Sequence, residues 1–381
     1  MVYRIVDYLN LRDAGTFELF YASIFILSAY SLNGIPLSAV LWVLFAVLLA
    51  FKTKQDNNPS YKPLIYLSVY CILHEFVYLF IANGNFNAFI LQIVYFWCIY
   101  KASSALDEKK LKGAINWIAL ISIGGLIYQW GIIASGGEVI PIELPFLEMS
   151  ENRLEHFSIR PSSFFMEPAA YVAFMYIPLA FSLREKKFLW TIIIILSEFL
   201  TTSTTGILTS FIILIVYILT QNVSIKLRFI TIAVGVSMFY VLTNIELFHT
   251  GLSKLEETNT ESNVRLTQGP YIVSTMRQDE YVFGAAYHNA YAYCLDGRAP
   301  NVVFYKEEVY MSTFWMIILK YGIIGLLLYI YFYLKLVQNK RELLPLVSCL
   351  IAVMFSASYG VGMTFVYTSI PLLMMKKKEI S

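Results

Sequence analysis

Residues 63–82 read PLIYLSVYCILHEFVYLFIA, and this stretch decides the fold class of the chain. An α-helix rises about 1.5 Å per residue, so a run of this length spans roughly 30 Å, the thickness of the hydrocarbon core of a bilayer. Glu75 carries the single formal charge of the run, and His74 stands beside it. The stretch predicts a membrane-spanning helix, in which His74 and Glu75 form an interhelical contact or, alternatively, a functional pair.

The composition extends this interpretation to the whole chain. The 381 residues are 58% hydrophobic and 14% charged, whereas a soluble domain carries about a quarter charged residues. The apolar runs are too long and uniform for a β-barrel. We therefore expect an all-α polytopic membrane protein, with residues 1–381 forming a single integral membrane domain.

About twelve membrane-spanning helices are predicted. They lie near 17–33, 36–51, 63–82, 86–101, 113–133, 164–183, 188–202, 204–221, 227–246, 311–334, 343–358 and 360–375. Of the 28 Lys and Arg residues, twenty fall in connecting segments that this scheme assigns to one side. The positive-inside rule makes that side cytoplasmic and leaves both termini there.

Two loops of the other side are much longer than a turn requires. They are residues 134–163 and 247–310, called here the first and second long loops. The second is rich in Tyr and Phe, and 253–278 has a helical pattern, so we expect it to fold with short helices. It holds eight acidic and five basic residues, a balance that does not suit nucleic acid as a partner.

Arginine is concentrated on this otherwise depleted side. Eight basic residues remain, and five of them, all in the two long loops, are arginines, namely Arg153, Arg160, Arg265, Arg277 and Arg298. The guanidinium group offers a planar fork of donors that suits phosphate and carboxylate oxygens. These arginines predict an anionic ligand at the outer face.

The string Arg160-Pro-Ser-Ser-Phe-Phe-Met-Glu167-Pro168 joins the first long loop to the next span. Glu167 is expected two turns into the apolar run, where an ionisable side chain usually faces a cavity or a partner. The two prolines favour a broken helix start, which is tolerated where backbone lines a cavity. The alternative is that Arg160 binds headgroups and Glu167 makes an interhelical bond.

The second long loop supplies further candidates. Arg265 and Arg277 are twelve residues apart and are expected to share one helical face, and His288 can exchange a proton near neutral pH. Candidate sugar or phosphate contacts are Tyr287, Asn289, Tyr291 and Lys320. Glu308 is a candidate base, and Lys320 lies either inside a span or at the membrane edge. The alternative for this loop is a solvated surface with incidental charges.

A run of hydroxyl residues near 202–205 adds the last candidates. Thr202, Ser203 and Thr205 can bind sugar or phosphate, or they can satisfy the ends of two helices at a tight turn. The chain contains no HExxH, Walker or GxGxxG motif, and its four cysteines form no disulfide framework or CxxC pair. We expect no metal and no cofactor.

Four of these strings, in this order, resemble the Wzy-type polymerases of bacterial surface polysaccharides, which belong with the O-antigen ligases to the GT-C class. The strings are Arg160 to Pro168, the Thr202 to Gly206 turn, Arg265 followed by Phe283-Gly284, and Lys320-Tyr-Gly-Ile-Ile-Gly325. In ligases of this group a His-Asn pair lies close to the last string. Here His288-Asn289 precedes Gly322 by more than thirty residues, and Glu307-Glu308 is nearer.

The resemblance implies a GT-C-like fold in the bacterial inner membrane, with the active site facing the periplasm. It implies a polymerase that transfers a growing chain from undecaprenyl pyrophosphate to a sugar hydroxyl of an incoming lipid-linked repeat unit. Arg160, Arg265 and Arg277 would bind the pyrophosphate, and Glu167, then His288, then Glu308 would be the base. The bilayer and a chain-length-regulating co-polymerase are the implied partners. The alternatives are an O-antigen ligase and a flippase or transporter without chemistry.

Overall fold

The computed structural model describes residues 2–33, 35–52, 62–81, 85–149, 160–201, 203–220, 264–285, 287, 290–302, 309 and 311–336, together with the isolated positions 225, 229, 233, 344, 369 and 370. The spans predicted near 227–246, 343–358 and 360–375 lie almost wholly outside the described residues.

The described part of the chain is mostly helical. Its α-helices are α1 (Val2–Tyr8), α2 (Thr16–Leu27), α3 (Leu37–Phe51), α4 (Lys62–Ile81), α5 (Phe86–Ala105), α6 (Glu108–Ala134), α7 (Pro168–Arg184), α8 (Phe188–Leu200), α9 (Thr204–Thr220), α10 (Val264–Ser274), α11 (Gln278–Phe283), α12 (Ala290–Leu295) and α13 (Thr313–Leu336). A short 3-10 helix, Leu11–Asp13, precedes α2.

Among these residues, four helices are long and apolar enough to cross a membrane, namely α4, α5, α6 and α13. Helices α2, α3 and α8 are apolar and shorter. The coarse expectation of a helical membrane protein is therefore supported, and the number of twelve spans stays a prediction.

A small antiparallel sheet departs from the all-α expectation. Strands β1 (Tyr30–Leu32), β2 (Ile35–Pro36) and β3 (Glu148–Met149) pair in the order β2-β1-β3. The predicted first span, 17–33, was too long, because α2 ends at Leu27 and the chain turns into β1. The sheet joins the connection between α2 and α3 to the first long loop.

The opposite end of the bundle gathers lysines and carboxylates from distant segments. Lys112, at the start of α6, lies 2.8 Å from Glu108 and 3.0 Å from Glu185 in the turn after α7. Lys109 lies 2.9 Å from Asp13 near the N-terminus. Segments that the charge pattern assigned to one side therefore meet at one end of the fold, called here the lysine-rich end.

Helix α13 connects the bundle to the second long loop. It packs on α4 and also contacts α10 and α11, the short helices of that loop. Its core side is aromatic, with Tyr321, Tyr329 and Tyr333 almost fully buried. This junction between α4, α11 and α13 contains most of the polar groups described next.

Candidate functional site

Two glycines allow the second long loop to cross α13 at backbone contact. Gly284 follows α11 with φ +98°, and Gly322 interrupts α13 with φ +66° and ψ −173°. A Cβ atom on Gly284 would lie 2.2 Å from the carbonyl oxygen of Lys320, and one on Gly322 would lie 2.2 Å from that of Val282. Only glycine fits both the backbone conformation and the approach at these positions.

The crossing is closed by backbone and tyrosine hydrogen bonds. The amide of Ala285 donates to the carbonyl of Leu319 at 2.7 Å. The hydroxyl of Tyr70 lies 2.8 Å from the carbonyl of Tyr321, and that of Tyr78 donates to the carbonyl of Gly284 at 2.6 Å. A broken helix inside a membrane protein needs such partners, because water is not there to satisfy the exposed carbonyls.

A buried ion pair lies beside this crossing. The Nζ atom of Lys320 is 2.7 Å from Oε1 of Glu75, and the two side chains are only 16% and 8% exposed. The hydroxyl of Tyr321 donates to the same carboxylate oxygen at 3.2 Å. Lys320 is therefore inside the bundle and paired with α4, and its depth in the membrane stays a prediction.

His74 is enclosed by three tyrosine rings. Its ring centroid lies 4.2 Å from that of Tyr78, 5.2 Å from Tyr321 and 6.0 Å from Tyr70. The side chain is 9% exposed, and neither ring nitrogen makes a well-formed hydrogen bond to a described residue, although the backbone of Phe283 lies close. The pair that the sequence indicated at 74–75 thus contacts the second long loop as well as another helix.

Arg277 lies on the surface at the start of α11. Its Nη2 atom is 3.2 Å from Asp279 and 3.2 Å from Glu280, and its side chain is 63% exposed. The expectation that Arg265 and Arg277 share one helical face was wrong, because α10 ends at Ser274 and Arg277 precedes α11. At the end of α10, the amides of Thr275 and Met276 donate to the carbonyls of Ile272 and Val273 in a tightened last turn.

Glu280 organises the second long loop from inside. It is 6% exposed, accepts a hydrogen bond from the amide of Arg277 at 2.9 Å, and also pairs with Arg298. The guanidinium carbon of Arg298 lies 5.6 Å above the ring of the buried Tyr293. Arg298, one of the five arginines of the outer side, is therefore half-buried and tied to Glu280 and Tyr293.

Tyr287 donates a hydrogen bond to the carboxylate of Asp296. This bond, more than burial, raises the pKa of Tyr287 to about 12. The hydroxyl therefore stays protonated near neutral pH, and its proton is donated to Asp296. Tyr291 is half-buried in α12.

The string from Arg160 to Glu167 is an ordered, non-helical segment. The side-chain oxygen of Gln129, in α6, accepts the amides of Ser162 and Ser163 at 3.0 Å and 2.8 Å. The hydroxyl of Ser163 donates to the carbonyl of Ser122 at 2.6 Å. These bonds hold the segment against α6 and leave Arg160 half-buried at its start.

Glu167 lies at the start of α7 and not two turns inside it. It is the N-cap residue, with an extended backbone, and its side chain makes no cap hydrogen bond. The reason is local, since Pro168 disfavours a helical conformation at the residue before it and suits the first position of a helix. Glu167 is half-buried and lies where the non-helical segment ends and α7 begins.

The turn after α8 is rich in hydroxyl residues, and those that the structure describes cap the ends of the adjoining helices. The hydroxyl of Ser203 accepts the amide of Gly206 at 3.3 Å, and that of Thr201 donates to the carbonyl of Glu198 at 2.7 Å. These contacts agree with the capping alternative for this turn.

Several candidates lie outside the described residues. They are Thr202, His288, Asn289 and Glu308, together with the side chains of Thr205 and Arg265. The backbone of Arg265 is in α10. Among the residues that the structure does describe, no group of three His, Cys, Asp or Glu side chains is placed to hold a metal ion.

Sequence reasoning missed three residues that build these sites, namely Gln129, Tyr70 and Tyr78. Tyr70, His74 and Tyr78 recur every fourth residue and therefore share one face of α4, a signal that the sequence does contain. Gln129 gave no such signal, because one amide in an apolar helix does not reveal its partner.

Comparison with known proteins adds no assignment: no family model matches the chain, and no curated protein matches it.

Proposed function

We propose that this protein is a membrane-embedded polymerase of lipid-linked oligosaccharide repeat units. It transfers the growing chain from undecaprenyl pyrophosphate to a sugar hydroxyl of an incoming repeat unit, at the outer face of a bacterial inner membrane. The observation that carries the proposal is the contact between Phe283-Gly284 and Lys320–Gly325. Two of the four strings of the Wzy-type resemblance thus interlock through their glycines, although they are far apart in sequence.

The segment around Arg160 and Glu167 gives further support. A rigid, non-helical segment with a half-buried arginine and a carboxylate at its two ends suits a substrate that presents a phosphate and a hydroxyl. Gln129 already accepts the amides of Ser162 and Ser163. In the proposal the guanidinium group of Arg160 is the principal donor to the anion.

The chemistry needs charge stabilisation more than a metal. Pyrophosphate is already a good leaving group, so arginines that bind it lower the barrier by neutralising the negative charge that develops. In the proposal Arg160 and Arg265 are the principal ligands. Arg277 has an assisting role, because Asp279 and Glu280 already offset part of its charge.

A base must take the proton of the acceptor hydroxyl. Glu167 is the first candidate, since it is the one whose described position is next to the Arg160 segment, and His288 and Glu308 are the others. A single displacement at the anomeric carbon would invert its configuration. Retention would need a second carboxylate close by as the nucleophile.

The test is a defined reaction in lipid nanodiscs. Purified protein receives an undecaprenyl-pyrophosphate-linked repeat unit in EDTA, and the products are resolved by size. We expect a ladder from the wild type and a loss of about 100-fold or more in rate from Arg160→Ala and from Arg265→Ala. Arg12→Ala, an exposed arginine at the lysine-rich end, is the matched control and should leave the ladder unchanged.

Three other outcomes would contradict the proposal. A normal ladder from either outer arginine variant would refute the pyrophosphate clamp. Transfer of the chain only to an added lipid A-type acceptor would indicate the ligase, which uses the same donor. Movement of the lipid-linked unit between leaflets without bond formation would indicate the transporter.

A further inference from the structure

We infer that Glu75 and Lys320 are a positioning pair that docks helix α11 onto α4 and α13 and so sets where Arg277, just before α11, stands. The reaction served by this docking is the one proposed above, so that part of the inference rests on the proposed function. The docking itself is argued from the contacts of the junction alone.

The pair lies well below the ends of its helices. Glu75 is six residues before the last residue of α4, and Lys320 is seven residues after the first residue of α13. At about 1.5 Å per residue, both lie roughly 10 Å inside the bundle. The loop backbone at Gly284 reaches the same depth, because it contacts the carbonyl of Lys320 and the ring of His74.

The buried pair contributes a defined register between α4 and α13. Removing two charges from water is costly, and apolar side chains of similar volume would often stabilise a fold as well or better. What an ion pair adds is register, since only one arrangement of the two helices leaves neither charge alone. Here that register also determines which carbonyls of α13 face the loop.

The three residues before Gly322 connect the pair to the loop. Leu319 accepts the amide of Ala285, the carbonyl of Lys320 packs on Gly284, and the hydroxyl of Tyr321 binds the carboxylate of Glu75. A displacement of the Lys320 side chain therefore disturbs the backbone atoms on which the loop rests.

Helix α4 holds the loop from the other side. Tyr70 lies about one turn before Glu75 and Tyr78 about one turn after it. The hydroxyl of Tyr70 is shared between the carbonyls of Tyr321 at 2.8 Å and Phe283 at 3.1 Å, and that of Tyr78 donates to the carbonyl of Gly284 at 2.6 Å. Rotation of α4 after loss of the ion pair would withdraw both hydroxyls. The consequence would reach Arg277, because Arg277 and Gly284 are the residues that flank the short helix α11.

Hydrogen exchange in nanodiscs tests the docking without any substrate. Breaking a buried pair leaves one charge uncompensated, so Lys320→Met should raise the exchange of amides 278–285 by about 100-fold or more. Lys112→Met is the matched control, since Lys112 is 14% exposed and also pairs with carboxylates, but at the lysine-rich end. It should leave these amides unchanged.

Two further variants separate docking from misfolding. Glu75→Gln combined with Lys320→Met removes both charges, so no lone charge remains to unfold the bundle, and exchange at 278–285 should still exceed that of the wild type. Lys320→Arg keeps the positive charge, so its amides 278–285 should exchange as slowly as those of the wild type.

The same variants in the polymer assay test positioning. Misplacement of a binding group by about 1 Å can cost about 100-fold in rate, so Lys320→Met should lose kcat by about that factor and Lys320→Arg should recover most of it. Wild-type exchange at 278–285 in both Lys320→Met and the double variant would refute the docking. Raised exchange with an undiminished kcat would refute the positioning role. If the wild type forms no polymer, the proposed function fails, whereas the exchange experiment still decides whether the pair docks the loop.

Discussion

Replacement of Gly284 by alanine is the sharpest test of the crossing between the second long loop and α13. Gly284 has φ +98° and ψ 153°, a region that essentially only glycine occupies, and an alanine there costs about 1–3 kcal/mol. The new methyl group would also lie 2.2 Å from the carbonyl oxygen of Lys320 and 2.7 Å from Nε2 of His74. Overpacking of this kind costs about 1–3 kcal/mol more.

Gly297 provides a matched control in the same loop. It also has a positive φ, of +74°, but a Cβ atom there would meet nothing within 4 Å. Gly297→Ala should therefore cost only the backbone part, about 1–2 kcal/mol. Taking the middle of each range, Gly284→Ala should be more destabilising by about 2–3 kcal/mol.

The measurement is the opening free energy of amides 278–285 by hydrogen exchange in nanodiscs, supported by the fraction of monodisperse protein that survives heating. We expect the amide of Ala285, which is bonded to Leu319, to report the largest change in Gly284→Ala. Equal losses in Gly284→Ala and Gly297→Ala would show that the close approach contributes nothing, and the interlocking of the two strings would have to be abandoned.

Three further predictions concern other parts of the fold. Gln129→Leu removes the acceptor of the amides at 162–163 and should cost about 2–5 kcal/mol, measured as faster exchange there; unchanged exchange would contradict it. Phe146 has φ +67°, is 94% exposed and follows a proline in a tight turn, so Phe146→Gly should stabilise the fold by about 0.5–1 kcal/mol, and a lower melting temperature would be the opposite result. Burial alone would raise the pKa of Glu185, but hydrogen bonds from two lysines bring it below its ordinary value of 4.5. The contribution of Glu185 to the free energy of unfolding is therefore complete above that pH and is lost as the pH falls below it. Glu185→Gln should flatten the acid side of the stability profile, and an unchanged profile would count against the pairing.

Within the described residues, the helices that the hydropathy pattern predicted are mostly found where it placed them. Helix α4 covers Lys62–Ile81 against a predicted 63–82, and α9 covers Thr204–Thr220 against 204–221. The reason is that a long apolar run has one way to satisfy its backbone in lipid, and the residues that end it are local in sequence. The described basic segments near 52, 109–112 and 184–187 also contact carboxylates at the lysine-rich end, as the alternating scheme requires, and the sidedness of the whole chain stays a prediction.

The errors have a different physical origin. The sheet was missed because its strands have two or three residues, too short for any periodicity, and β3 is more than a hundred residues from β1. Glu167 was placed too deep because hydropathy does not register that a residue before proline avoids the helical conformation. The joint helix of Arg265 and Arg277 failed because α10 ends at Ser274 and a new helix starts after Arg277, whose amide donates to the side chain of Glu280.

The candidate site, like the fold, was predictable from the sequence only in part. Composition, the lysine pattern and the four strings were enough to determine a helical membrane protein and a set of candidate arginines, carboxylates and glycines. Each of these depends on residue types and on neighbours within a few positions along the chain.

Only the tertiary structure decided which of those residues meet. Glu75 and Lys320 pair across 245 residues, and Gly284 and Gly322 lie at backbone contact, although nothing near either partner in sequence selects the other. Packing makes the selection. Once α4, α11 and α13 are in register, Glu75 and Lys320 are within reach of each other and neutralise each other's charge. At the crossing, the two backbones are so close that Gly284 and Gly322 have room for a hydrogen atom but not for a side chain.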